Sequence, residues 1–204
     1  TVIGSTFVAG SVAIFNLAVN IESVPIGLLG IPFAIAAFPN FVESLAQKNH
    51  EQFGATFSYT ARQILFFLLP VSVITIVLRA HIVRLIIGAQ SLSWNDTRLA
   101  AATLGIFAIG FVFQGLTPLL SRAFYALKDT IRPVVASIVS VIVNVIVTVW
   151  SVHWLASGGV WVTVFQQTLR LEGISDIRVL SLPLGFTFSS MVNMVVLVVW
   201  LATQ

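Results

Sequence analysis

Four polar side chains, Asn16, Asn20, Glu22 and Ser23, crowd into eight residues of an otherwise apolar stretch. Two carboxamides and a hydroxyl can hold a ligand by hydrogen bonds, and one carboxylate can attract a cation or carry a proton. A carboxylate inside an apolar helix should face a protein interior or a wet cavity, although Glu22 can equally be read as interfacial. A second set lies further on. Asn144 and Thr148 are one helical turn apart, and Thr187 follows in a later apolar run. Their oxygens suit an ion or a substrate contact, or simple bonding between helices, as do Gln114 and Asn193. A third set is the basic stretch Arg122, Tyr125, Lys128, Asp129 and Arg132, which ends at Pro133. It reads as a tight turn in which Asp129 and Thr130 cap the next helix, Pro133 fits its first turn, and Tyr125 anchors at an interface.

None of these sets is a catalytic constellation. His50, His81 and His153 lie far apart without a second ligand at helical spacing, and there is no cysteine. No phosphate-binding glycine loop or nucleophile elbow is present, so a metal centre and an enzyme are both disfavoured. Apart from Glu22, the acids read as loop charges and caps. Ten Lys/Arg against seven Asp/Glu leave a formal charge of +3, and the basic residues are scattered singly, which argues against nucleic acid as a partner.

The elements that must position these groups are membrane helices. The chain is 58% hydrophobic and only 8% charged, and residues 23–42, 63–78, 99–121, 133–169 and 179–204 lack Asp, Glu, Lys and Arg. A hydrocarbon core about 30 Å thick is crossed by roughly 20 apolar residues. A charge at its centre costs about 2.5–3.5 kcal/mol on insertion scales. The expected fold is therefore all-α, a polytopic transmembrane bundle forming one membrane domain over 1–204. Five spans are expected at about 12–38, 57–78, 97–121, 133–154 and 182–201, with the end of a sixth in residues 1–7. Polar and amphipathic patterning predicts interfacial helices at about 40–50 and 79–88, with Asn95 or Asp96 capping the helix from residue 97. Residues 155–180 read as a loop or insertion, with an apolar run at 160–169 too short to span. Pro25, Pro32 and Pro39 fall seven apart, near one helical face, and Pro70 interrupts the second span, so kinks are expected at all four. The gaps on the two sides hold five basic residues each, which leaves orientation undecided by charge. With no initiating Met and an apolar run reaching the last residues, the chain reads as a piece of a longer protein.

The stretch Arg122-Ala123-Phe124-Tyr125-Ala126, with Asp129-Thr130 and Pro133, resembles the corresponding turn of the MurJ (MviN) lipid II flippases. These belong to the multidrug/oligosaccharidyl-lipid/polysaccharide exporter superfamily. Val24-Pro25-Ile26-Gly27-Leu28-Leu29-Gly30, running on to Phe38-Pro39, is similar to that family's Leu-Pro-x-Gly-x-x-Gly helix. Leu69-Pro70, the 82–88 segment and an Asp-Thr helix start match in the same order, so the likeness covers about residues 1–150.

The resemblance implies a multi-pass protein of the bacterial inner (plasma) membrane with fourteen helices, of which this chain would hold the end of the seventh through the twelfth. Its partners would be the undecaprenyl-linked peptidoglycan precursor, membrane lipids and a missing N-terminal half. The gaps 43–62 and 122–132 would be cytoplasmic. Transport would proceed by alternating access, with cationic side chains holding a pyrophosphate. No cofactor is implied, and coupling to sodium or protons is left open. Two positions depart from the pattern. Asn20 stands where the family usually has an arginine, and Thr148 stands where the sodium site of some members has a carboxylate, although Asn144 matches. The alternatives are a polysaccharide or drug exporter of the same superfamily, or a scaffold that keeps the fold without transporting.

Overall fold

The charge-free runs become helices longer than the hydrophobic pattern alone marks out. The structure, a computed structural model, describes residues 11–87, 94–157, 159–169, 171 and 177–203. Among them, α1 is Ser11–Pro25, followed by a π-helical turn at Ile26–Gly30 and α2 at Ile31–Ala46. Next come α3 (His50–Ile87), α4 (Trp94–Ala126) and α5 (Ile131–Ala156). A short α6 (Val160–Leu169), a 3₁₀ turn (Arg178–Leu180) and α7 (Ser181–Ala202) complete the order. Five helical stretches are long and apolar enough to cross a bilayer: Ile14–Ala46, His50–Ile86, Trp94–Ala126, Ile131–Ala156 and Arg178–Ala202. The all-α, membrane-spanning architecture is thus present. The sixth span expected at residues 1–7 lies outside the described residues.

The bundle is organised around α4. Its side chains from Leu99 to Ala108 are buried in succession, and α1, α2, α3 and α7 all pack on it. The outer helices instead expose large apolar groups such as Leu28, Phe66, Val77, Ile146 and Trp150. That inversion suits hydrocarbon as the surrounding solvent. Close approach is carried by small residues. A Cβ added at Gly30 would sit 2.9 Å from the Gly115 Cα, so the end of the π-helical turn meets α4 backbone to backbone.

Two expected interfacial helices are instead parts of longer ones. Residues 40–46 continue α2, because the inward stripe Ala34, Ala37, Phe41, Ser44 runs on unbroken while Asn40 and Glu43 point outward. Residues 50–56 open α3, and Phe41 packs its ring on Phe53 and Phe57. Residues 79–87 likewise extend α3. Val83 is fully buried, Arg79 reaches the Thr168 carbonyl at 3.5 Å, and the Arg84 guanidinium lies 4.4 Å over the Trp94 ring. Long basic side chains can lie along an apolar surface with their heads at its edge, and that produced the amphipathic pattern. Helix α4 starts at Trp94, which puts Asn95 and Asp96 inside the first turn rather than ahead of it. Within residues 155–180, α6 and the 3₁₀ turn bring Val162, Leu171, Val179 and Leu180 into the core beside Ile14 and Leu99. This segment closes one end of the bundle.

At the other end, two turns share one construction. After α2, the Asn49 amide donates to the Ser44 carbonyl at 2.9 Å and Lys48 to Leu45 at 3.1 Å, with Lys48 at φ 55°. After α4, Asp129 donates to Phe124 at 3.0 Å and Lys128 to Tyr125 at 3.0 Å, with Lys128 at φ 61°. Both are left-handed helix ends in which the last carbonyls are satisfied by the following amides. The next helix is then capped by Asn49, accepting from the Gln52 amide at 3.0 Å, or by Asp129, accepting from Ile131 and Arg132 at 3.1 and 3.2 Å. A side chain in this backbone region costs about 1–2 kcal/mol, which glycine avoids. Lys128→Gly is therefore expected to raise stability by about 1 kcal/mol, read as a higher midpoint in a thermal scan in detergent. A lower midpoint would contradict the turn geometry.

Candidate functional site

Sequence proximity grouped Asn16, Asn20, Glu22 and Ser23, but the helix separates them. Asn16, Asn20 and Ser23 lie exposed on one side of α1, and the Ser23 hydroxyl donates back to the Asn20 carbonyl at 2.7 Å. Glu22 follows Ile14 and Ala18 at four-residue spacing on the opposite side and is only 2% exposed. Its Oε1 accepts a hydrogen bond from Gln114 Nε2 on α4.

The buried stripe of the first span falls at multiples of four, Ile14, Ala18, Glu22, Gly30 and Ala34, skipping Ile26. In an ideal α-helix each such step drifts about 40° around the axis. The wider turn at Ile26–Gly30, closed by the Ile31 amide on the Ile26 carbonyl, takes that drift back. It thereby keeps Glu22 and Gly30 on the same neighbour. Pro25 and Pro32 flank this turn and remove two backbone donors around it. At Pro39 and Pro70 the helices continue as regular α-helix, so the wide turn accounts for two of the four expected kink positions, Pro25 and Pro32.

Outside this turn, a cavity of about 650 Å³ opens between α1, α3 and α4. Its wall is apolar (Leu17, Ile21, Val24, Leu28, Val71, Phe111), and Asn20 is the one carboxamide on it. A polar helix face therefore borders an oily groove, an arrangement that can receive an amphiphile with a polar head and a hydrocarbon tail.

The second set is also divided. The Asn144 Nδ2 donates to the Ser189 hydroxyl at 3.3 Å, across the α5–α7 seam. Thr148 is 98% buried there against Gly185, and its hydroxyl has no hydrogen-bond partner. Thr187 belongs to a different seam, donating to the Ile106 carbonyl of α4 at 3.3 Å. A Cβ at Gly110 would sit 3.0 Å from Gln114 Nε2 and 3.3 Å from the Thr187 hydroxyl, so Thr187 borders the Glu22–Gln114 pair instead. No group of three or more His, Asp and Glu comes together among the described residues. In the basic turn, Arg132 pairs with Asp129 at 3.2 Å, while Tyr125 and Lys128 are exposed.

Gln114 is the residue of this site whose partner the sequence did not reveal. It was visible only as one of several intramembrane carboxamides, because its partner lies 92 positions away.

The model of the family described as lipid II flippase MurJ matches residues 1–204. Among curated proteins, a probable lipid II flippase MurJ of Thermotoga maritima is 30% identical over 128 residues, covering 63% of this chain and 26% of that protein. The counterpart from Borreliella burgdorferi is 25% identical over 135 residues, covering 66% and 27%. A solved lipid II flippase MurJ in an inward closed conformation superposes with a TM-score of 0.74 at 17% identity, over 96% of this chain and 37% of that one. The chain thus spans about a quarter of the length of the curated relatives it matches.

Removing the Gln114 amide would leave a buried carboxyl without its donor, a loss of about 1–3 kcal/mol. Gln114→Leu is expected to lower thermal stability by that order, and Glu22→Leu on top of it should recover part of the loss. A single variant as stable as wild type would show that the pair is not a structural contact.

Proposed function

Since this chain belongs to the MurJ lipid II flippase family, we propose that it is the membrane region forming one wall of a lipid II flippase. The observation that carries this reading is the family match along all 204 residues. The substrate is the undecaprenyl-linked peptidoglycan precursor, the site is the bacterial inner membrane, and the remaining wall comes from the part of the protein outside this chain. No bond is made or broken. The work is moving a polar, charged head through hydrocarbon while its tail stays in lipid.

The geometry supports that division of labour. Asn16, Asn20 and Ser23 offer hydrogen bonds without a charge of their own, and the groove beside them is lined by aliphatic side chains. The π turn and its prolines place a weak point in the helix that must move for alternating access. The pyrophosphate would then depend on cations outside this chain, since Asn20 replaces the arginine that the family resemblance implies. That replacement also favours one rival reading, a scaffold that keeps the fold without transporting.

The discriminating experiment is rescue of growth by the full-length protein when a host's own lipid II flippase is depleted. Rescue is expected with wild type and with Asn20→Arg. Asn20→Asp, which sets a negative charge against a pyrophosphate, should abolish it at equal membrane insertion. Absence of rescue by the correctly inserted wild type would contradict transport and support the scaffold.

A further inference from the structure

Glu22 takes no part in the polar face of α1, yet a carboxyl inside a membrane-spanning bundle needs a reason. The spanning parts of its neighbours hold no countercharge: residues 63–78 of α3, 99–121 of α4 and all of α7 contain no Asp, Glu, Lys, Arg or His. The next ionisable group along α3 is Arg79, whose head lies over Gly105. That is nine residues from Gln114, or about 13 Å along α4. Arg178, in the 3₁₀ turn that touches α1, is exposed and belongs to the Ile14 end. The partner facing Glu22 is a neutral N–H donor. One carboxylate and one donor do not form the oxygen cage that a metal ion requires.

A neutral acid keeps the Gln114 bond through its carbonyl oxygen and carries no uncompensated charge. A bare carboxylate in the same place lacks the further donors that water would supply. The surroundings let the helix respond to that difference. The π turn at Ile26–Gly30 lies just below Glu22, the Gly30–Gly115 contact fixes the far end of that turn to α4, and the 650 Å³ cavity leaves room beside α1.

We propose that Glu22 is a proton-binding site that clamps α1 to α4 above this hinge. With the proton bound, the clamp is closed as in this structure. When the proton leaves, the carboxylate seeks water and α1 swings away from α4. The site stands on its own geometry, while its use in driving a transport cycle rests on the flippase reading.

Two measurements on the full-length protein in native membranes test it without any transport assay. Dicyclohexylcarbodiimide couples to protonated carboxyls in apolar surroundings. Mass spectrometry should find its adduct on Glu22 on the acid side of a titration, fading on the alkaline side, unchanged by added sodium and absent in Glu22→Gln. Failure to label Glu22 at any pH, or labelling that sodium suppresses at fixed pH, would overturn the proposal. Hydrogen–deuterium exchange reads the clamp. The α1 peptide of wild type should exchange several-fold faster than that of Glu22→Gln on the alkaline side and equally on the acid side. Equal exchange at both would also overturn it.

Discussion

Hydrocarbon gives no partner to a charge or to an open backbone group, and this constraint shapes nearly every feature of the chain. Charges retreat to the ends of helices, where Arg79 reaches a carbonyl of α6, Arg84 lies on Trp94, and Arg132 pairs with Asp129. Helix ends are closed by their own following amides at Lys48 and Lys128. Since lipid is as apolar as leucine, packing between helices depends on shape and small residues, hence the Gly30–Gly115 contact at the heart of the bundle. A polar group is kept inside only when it has a partner or a purpose.

Helix α1 shows the constraint working in two directions at once. One side presents Asn16, Asn20 and Ser23 beside an apolar groove, and the other buries Glu22 against Gln114. Placing both on one helix above a π turn links what happens in the groove to what happens in the bundle. A change in the tilt of α1 would alter the exposure of Asn20 and the Glu22 contact together. Tilt, groove exposure and the buried carboxyl are thereby tied to one rigid element.

The spacing of charges was enough to read the all-α class and the five stretches able to span a bilayer among the described residues, since a buried charge is costly whatever the fold. The turn at Lys128 was legible too, because Asp129 and Pro133 have local preferences that no distant contact overrides. Other features depended on contacts between distant residues. Glu22 looked grouped with Asn20 because they are neighbours in sequence, although two residues turn about 200° around a helix, and only packing on α4 fixes which side is in. Residues 79–87 looked like a surface helix because Arg79 and Arg84 hide their stems along an apolar surface. Thr187 looked like a companion of Asn144 and Thr148, yet the rotation of α7 directs it to α4. The wide turn at Ile26–Gly30 left no mark in composition beyond the prolines around it.

Water access along α1 is the most direct measure of this account. The chain has no native cysteine, so single cysteines can be placed at Asn20 and at Ala18, two residues apart on opposite sides of the helix. In the full-length protein in native membranes, with any cysteines elsewhere in it replaced, a membrane-impermeant maleimide should modify Asn20→Cys and leave Ala18→Cys untouched. Modification of both, or of Ala18→Cys alone, would contradict a membrane bundle that turns one face of α1 to an aqueous path and the other to its core.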